Sequence, residues 1–316
     1  MPSRFRTPAA VASVLLPLAA VTACGSGAAS DGGSAAGGRD PEKLVVAVIP
    51  AEDSTSLAQR YAAVTKLLED ETGKKVELQK ATNYAAVIEA QRAHKADIAF
   101  YGPLSYVVAK DSGVDLKIVA APVTEKGGDP GYRSVAFTRT GSGIKSLKDF
   151  AGHKVCFVDE NSTSGYLYPQ AALIKAGPAE SDYTKVMAGG HDASVLSVAK
   201  GQCDAGFASE DMATRQLIEE GKIGKNDLEI LWKSAMIPGS PVAVSTDLTS
   251  GLQQKITDAF TEKTNADYLK SKGYCSGGDD CLVEANWGYV PVSDADYASV
   301  RDVCAATKNE QCEAGS

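Results

Sequence analysis

The chain has 316 residues, with 40 Asp and Glu against 32 Lys and Arg, a formal net charge of −8 at pH 7. That balance weighs against nucleic acid as a partner, because a binder of the phosphate backbone needs a basic face. A small anion is not excluded, since local dipoles can outweigh a distant field.

The first residues read as a leader. Arg4 and Arg6 precede the apolar run "AAVASVLLPLAAV", and small residues follow up to Cys24. A charged start, a short apolar middle and small residues at a cut site describe a secretory signal over 1–23. The run is shorter than the about 20 apolar residues of a spanning helix. The Cys after "VTA" resembles the bacterial lipobox, which implies cleavage before Cys24 and lipidation of its thiol. "GSGAASDGGSAAGGRD" then carries almost no apolar bulk, so 24–43 is expected to be a flexible tether. Lipid and tether would hold the rest on the outer face of the cytoplasmic membrane. The folded part is expected from near Leu44, about 270 residues, a length that suits two lobes.

From there strands and helices alternate. "KLVVAVIP" reads as a buried strand, and Leu57, Tyr61, Val64, Leu67 and Leu68 share one face of a helix that Gly73 stops. "KKVELQKA" is a strand, "NYAAVIEAQRAHK" a helix with Asn83 as N-cap, "ADIAFYG" a strand, "PLSYVVAKDSG" a helix and "DLKIVAAPV" a strand. The pattern restarts with strand "HKVCFVD", helix "GYLYPQAALIKAG", strand "YTKVMAGG", helix "DASVLSVAKG", strand "QCDAGFAS", helix "EDMATRQLIEEG" and strand "DLEILWKS". "PVAVSTDL" and the helix "SGLQQKITDAFTEKT" follow. This alternation predicts parallel α/β sheets. "AHKADIAFYG" and "AKGQCDAGFAS" share a layout around Asp97 and Asp204, which suggests two lobes built alike.

Seven cysteines less Cys24 leave six, an even number that suits disulfides in an exported chain. The expected bridges are Cys156–Cys203, between two predicted strands, and the short local loops Cys275–Cys281 and Cys304–Cys312. A metal site is disfavoured, with three His, none at ligand spacing, and no C-x-x-C pair. No cofactor is implied.

In open α/β sheets, ligands sit beyond the strand C-termini against helix N-termini. The loops at that position are "YGPLSY", "ENSTSGY", "GGHDAS" and "ASED". In the second, Ser162, Thr163 and Ser164 offer hydroxyls, and the unpartnered N–H groups of a first helical turn point outward. The same residues also fit a plain helix cap, so "ENSTSGY" alone leaves both readings open. The loop has no Lys or Arg, and the nucleotide-binding pattern GxxxxGK[ST] is absent, which argues against nucleotide phosphates. His191 follows a strand and precedes a helix, and Tyr84 and Tyr101 stand at similar ends. Each could donate to an oxyanion, or be an ordinary loop or core residue.

Taken together and in order, "NYAAVIEAQRAHKADIAFYGPLSY", "GDPGYRSVAF", "NSTSGYLYP", "AGGHDASVLSVAKGQCDAG" and "LWKSAMIPGSPVAV" resemble the phosphate/phosphite/phosphonate-binding proteins of ABC importers, the PhnD type. The resemblance implies a two-lobed periplasmic-binding-protein fold of type II, with lobe one at 44–135 plus 240–316, lobe two at 136–239 and a hinge near "YRSVAF" and "IPGSPVAV". It implies an oxyanion on Ser162, Thr163, Ser164 and the N–H of Gly165, with His191, Tyr84 and Tyr101 as further contacts. Relatives that take an aminoalkylphosphonate hold its amine with two acids. One matches near Glu210 or Asp211, and the other is Ser240 here, which favours phosphate, phosphite or a small uncharged phosphonate. The partners implied are that anion, the importer's permease and, through the lipid, the membrane. The long helical C-terminal extension of some relatives is missing, which suggests a monomer. A Ser/His-dependent hydrolase is the competing class, but neither G-x-S-x-G nor H-E-x-x-H occurs. A sensor lipoprotein for the same anion is the third.

Overall fold

The computed structural model describes residues 37–50, 58–276, 281–282 and 286–313. The signal, Cys24 and most of the tether therefore lie outside the described residues. Strand β1 (Lys43–Val48), helix α1 (Ala62–Thr72), β2 (Lys75–Lys80), α2 (Tyr84–Arg92), β3 (Ile98–Phe100), α3 (Pro103–Asp111) and β4 (Leu116–Val123) alternate along the first half. α1 buries Ala63, Val64, Leu67 and Leu68, the spacing of one helical face, and stops at Gly73, whose φ of 72° needs a residue without Cβ. Asn83 caps α2, its side chain accepting from Ala86 N–H at 2.8 Å.

Strands β12 (Val242–Ser245) and β13 (Gly288–Pro291) complete this sheet in the order β13–β4–β12–β3–β1–β2. β1 runs parallel to β2 and β3, whereas β12 is antiparallel to β3 and β4. The second sheet holds β6 (Ser134–Arg139), β7 (Lys154–Phe157), β8 (Thr184–Met187), β9 (Ala205–Ser209) and β10 (Leu228–Lys233), in the order β10–β6–β9–β7–β8. In the same way β7 is parallel to its neighbours β8 and β9, and β6 is antiparallel to β9. In each sheet the strand that arrives from the other sheet, β12 or β6, is antiparallel to its neighbours, and the edge strand β13 is antiparallel to β4 as well. The two crossings pair with each other through β5 (Gly131–Tyr132) and β11 (Ile237–Pro238). This is the two-lobed α/β fold of type II periplasmic binding proteins.

The repeated Asp is a shared device. Asp97 N–H donates to Val45 O and its carboxylate accepts from Val45 N–H at 2.7 Å. Asp204 does the same with Lys154, at 2.8 Å for both bonds. Each Asp closes the ladder between two parallel neighbours, β1 and β3 in one lobe and β7 and β9 in the other, while Phe100 and Phe207 enter the cores that flank the two sheets.

The helices beside the second sheet are α4 (Tyr168–Ala176) and α5 (His191–Ala199), and α6 (Ser250–Asp258), α7 (Ala266–Ser271) and α8 (Ala298–Thr307) follow. The helix expected over "GYLYPQAALIKAG" differs at its start. Thr163–Leu167 form a wide turn in which Leu167 N–H reaches Ser162 O at 3.1 Å, five residues back. Pro169 explains it: with no N–H it leaves Gly165 O without a helical donor, and Val158 N–H of the preceding strand takes that place at 3.2 Å.

The folded part begins earlier than Leu44. Arg39 N–H donates to Asp247 O, Thr249 N–H donates to Arg39 O, and the Arg39 side chain bonds Asp97 and Asp247 at 2.6 and 2.9 Å. The end of the expected tether is thus packed on the first lobe, because buried Asp97 needs a cation. Disulfides join Cys156 to Cys203, Cys275 to Cys281 and Cys304 to Cys312, with Cα separations of 5.8, 5.1 and 6.0 Å. No helix among the described residues is long and apolar enough to cross a membrane.

Candidate functional site

Four helix starts converge where the strands of both lobes end. Tyr84 opens α2, Gly102 caps α3, Ser162 leads the wide turn before α4, and His191 opens α5. Between them lies a cavity of about 110 Å³ lined by Tyr84, Gly102, Ser162, Thr163, His191 and Ser209, with Asp211, Tyr132 and Asn286. Hinge residues Gly131, Gly239 and Ser240 form another wall. Among the described residues no Lys or Arg lines it, and the positive ends that face it are those of helix N-termini.

The polar lining groups share one habit. Ser162 Oγ accepts from Gly165 N–H at 3.1 Å. Thr163 Oγ1 accepts from Leu104 N–H, on the other lobe, at 2.7 Å. His191 Nδ1 accepts from Ser209 N–H at 3.0 Å. Each group spends an acceptor position on a backbone N–H, a bond that does not use its own hydrogen. For His191 the consequence is strict. Burial pushes its pKa down to about 4, so the ring is neutral at pH 7, and an accepting Nδ1 fixes the proton on Nε2. Tyr84 Oη lies 3.4 Å from that nitrogen, where it accepts the Nε2 hydrogen.

The cap reading of Ser162 holds, and the cap uses a lone pair and not the O–H. Of the residues expected from sequence, Tyr84, Ser162, Thr163, His191 and Asp211 line the cavity, and Tyr101, Ser164 and Gly165 do not. Gly165 is corrected from a donor to a packing residue. Its N–H is committed to Ser162, and a Cβ there would lie 2.3 Å from Val158 Cβ, so only glycine lets the turn sit on β7. Tyr101 and Ser164 are fully buried, and neither hydroxyl has a hydrogen-bond partner. Burial holds the Tyr101 phenol far above its usual pKa, so it stays protonated. Asp211 does reach the cavity, but Arg215 clamps both its oxygens, at 2.6 and 2.9 Å. Tyr132, Ser209 and Asn286 were missed as individual residues. Ser209 lies in a flagged loop, Tyr132 in a flagged stretch, and nothing local marks Asn286.

The lobes meet around this cavity. Besides Thr163 to Leu104, Tyr84 N–H approaches Asp159 Oδ2 at 3.4 Å, and Arg60 pairs with Glu220. Helix starts from both lobes thus surround one small cavity.

A family model described as "ABC transporter, phosphonate, periplasmic substrate-binding protein" matches residues 46–297. The chain belongs to that family. It is 43% identical over 284 residues to the phosphate-import protein PhnD of Mycolicibacterium smegmatis, covering 86% of this chain and 88% of that one. It is 31% identical over 219 residues to the phosphonates-binding periplasmic protein of Escherichia coli, covering 67% and 64%. Among solved structures, the binding protein component of an ABC phosphonate transporter from Pseudomonas aeruginosa superposes with a TM-score of 0.75 at 25% identity, over 88% of this chain and 90% of that one. PhnD1 from Prochlorococcus marinus, solved with methylphosphonate, gives 0.74 at 21% identity, over 85% and 100%, and shares the fold. As a member of this family the protein is the extracytoplasmic substrate-binding component of an ABC importer, and it is not an enzyme.

Proposed function

We propose that the protein is a lipid-anchored, monomeric receptor that closes its lobes on a phosphorus oxyanion and delivers it to the importer's permease. Residues 1–23 are the signal and Cys24 carries the lipid. Lobe one takes 44–135 plus 240–316, extended back to Arg39, and lobe two takes 136–239. The observation that carries the reading is that Ser162 and Thr163 each spend an acceptor position on a backbone N–H while facing one cavity that no cation among the described residues lines, so their O–H groups are the donors it offers. Such a wall suits an acceptor-rich anion. Ser164 and Tyr101, buried with unpartnered hydroxyls, are further donors within the same two elements.

The ligand class follows from what the other walls lack. Ser240 is neutral, and Asp211 already holds Arg215. A cationic amine would find no free carboxylate among these groups, so phosphate, phosphite and methylphosphonate are favoured over 2-aminoethylphosphonate. Calorimetric titration of the mature protein with these four ligands tests the reading. Binding of at least one of the first three, tighter than 2-aminoethylphosphonate, is the expected result. No heat and no rise in melting temperature with any of the four would overturn it. A Cys24→Ala variant should leave the membrane fraction, and retention there would remove the lipid anchor.

A further inference from the structure

The C-terminal segment from Tyr297 to Cys312 contacts both lobes without lining the cavity. On the first lobe, Arg301 grips Asp111 of α3 with nitrogens at 2.7 and 2.9 Å. The Tyr297 ring packs edge-on against Tyr106 at 4.8 Å, and its hydroxyl donates to Gly239 O, on the hinge crossing, at 2.8 Å. On the second lobe the partners cluster at the oxyanion turn. Leu167 and Tyr168 share a buried cluster with Val300 and Cys304. Asn309, only 2% exposed, donates from Nδ2 to Gln170 Oε1 at 2.9 Å. Gln311 Nε2 donates to Glu160 Oε2 at 3.3 Å. Glu160 and Gln170 bracket the stretch Ser162–Gly165 on its two sides. The Cys304–Cys312 bridge holds this tip in shape, with Asn309 N–H on Cys304 O and Lys308 in the left-handed region at φ 50°.

We propose that this disulfide-tied segment is a clasp: Asn309 and Gln311 position the oxyanion turn and set part of the closure equilibrium from outside the cavity. The inference rests on the reading that the lobes close on an anion. Apparent affinity is intrinsic affinity multiplied by the closed fraction, so residues that touch only the closed arrangement tune binding without touching ligand. The clasp stays with the first lobe through Arg301 and Tyr297, and its bonds to Gln170 and Glu160 are the ones that opening breaks.

The test uses the mature protein with Asn309→Ala, Gln170→Ala, the double variant and, as a milder change at a half-buried position, Gln311→Ala. Inorganic phosphate and methylphosphonate are the probes. Either single variant at the Asn309–Gln170 pair should raise Kd about threefold to tenfold through faster dissociation, the effect of one neutral hydrogen bond. The double variant should be no worse than the stronger single, because one bond is removed in each case. Small-angle scattering of the ligand-free variants should show a larger radius of gyration than wild type. This arm needs no ligand, so it separates failure of the clasp from failure of the oxyanion reading. Unchanged dissociation rates and unchanged scattering would overturn the clasp. So would a lower ligand-free melting temperature with neither of those changes, which marks Asn309 as a purely structural residue.

Discussion

Thr163 joins the lobes and faces the cavity at once, so Thr163→Val is the sharpest probe of the site. The substitution keeps shape and removes the hydroxyl. Two losses follow in the closed form. Leu104 N–H, an orphan donor in the first turn of α3, loses its partner at 2.7 Å while still buried. An unsatisfied buried donor costs about 1–3 kcal/mol, and a lost hydrogen bond to a charged ligand about 1.5–3 kcal/mol. The sum, about 2.5–6 kcal/mol, corresponds to a Kd raised roughly a hundredfold or more. In the opened form water can reach Leu104 N–H, so the ligand-free melting temperature should move little. Thr163→Ser, which keeps acceptor and donor, should bind within a few-fold of wild type. Calorimetry and ligand-free thermal melts on the three proteins decide the matter. A Thr163→Val protein that binds like wild type would refute the reasoning, and so would a loss shared equally by Thr163→Ser.

The His191 ring gives a pH signature. Its folded pKa, about 4, lies below the unfolded value of about 6.5, so its stabilising effect is complete above pH 6.5 and is lost as pH falls towards 4. The loss amounts to about 3 kcal/mol, and thermal melts of wild type between pH 7.5 and 4.5 should slope more steeply than those of His191→Asn; parallel slopes would contradict it. Gly165→Ala forces a methyl to 2.3 Å from Val158, so overpacking should lower the ligand-free melting temperature by the equivalent of about 1–3 kcal/mol or abolish folding. Cys156 and Cys203 stand 47 residues apart, and a Cys156→Ala/Cys203→Ala variant should lose about 4 kcal/mol on the chain-entropy model, read by urea unfolding.

Much of this was legible in the residues, where local chemistry decided the outcome. Asn83 caps its helix because an Asx side chain reaches the N3 amide, and the paired Asp97 and Asp204 mark equivalent strands because each carboxylate closes the same ladder. The loops that meet at the cavity could be named from strand-helix order alone. Which side chains face inward could not. Ser162, Ser164 and Gly165 look alike in sequence, yet the wide turn sets Ser162 on the cavity wall and leaves Ser164 fully buried off it. Asn286 arrives from a distant segment, and the clasp depends on Asn309 meeting Gln170 across 139 positions, a contact with no periodic signature. Arg39 was hidden for the opposite reason: a Gly-rich approach masks one residue whose partner, Asp97, is buried elsewhere.

The absence of Lys and Arg from the cavity wall among the described residues has a mechanistic reading in the proposed receptor. A single cation about 4 Å from the anion would contribute roughly 4 kcal/mol at an effective dielectric of 20, and would stay beside the anion whichever lobe carried it. Helix termini behave differently, because their field falls off within about a turn. Here α2 and α3 belong to one lobe, and the wide turn before α4 and the start of α5 belong to the other. Opening the hinge at β5 and β11 therefore divides the field in two. It also separates Tyr84 from His191 and Leu104 from Thr163. Tight binding is then a property of the closed form alone. A permease that draws the lobes apart releases the anion without moving a proton or breaking an ion pair to the ligand.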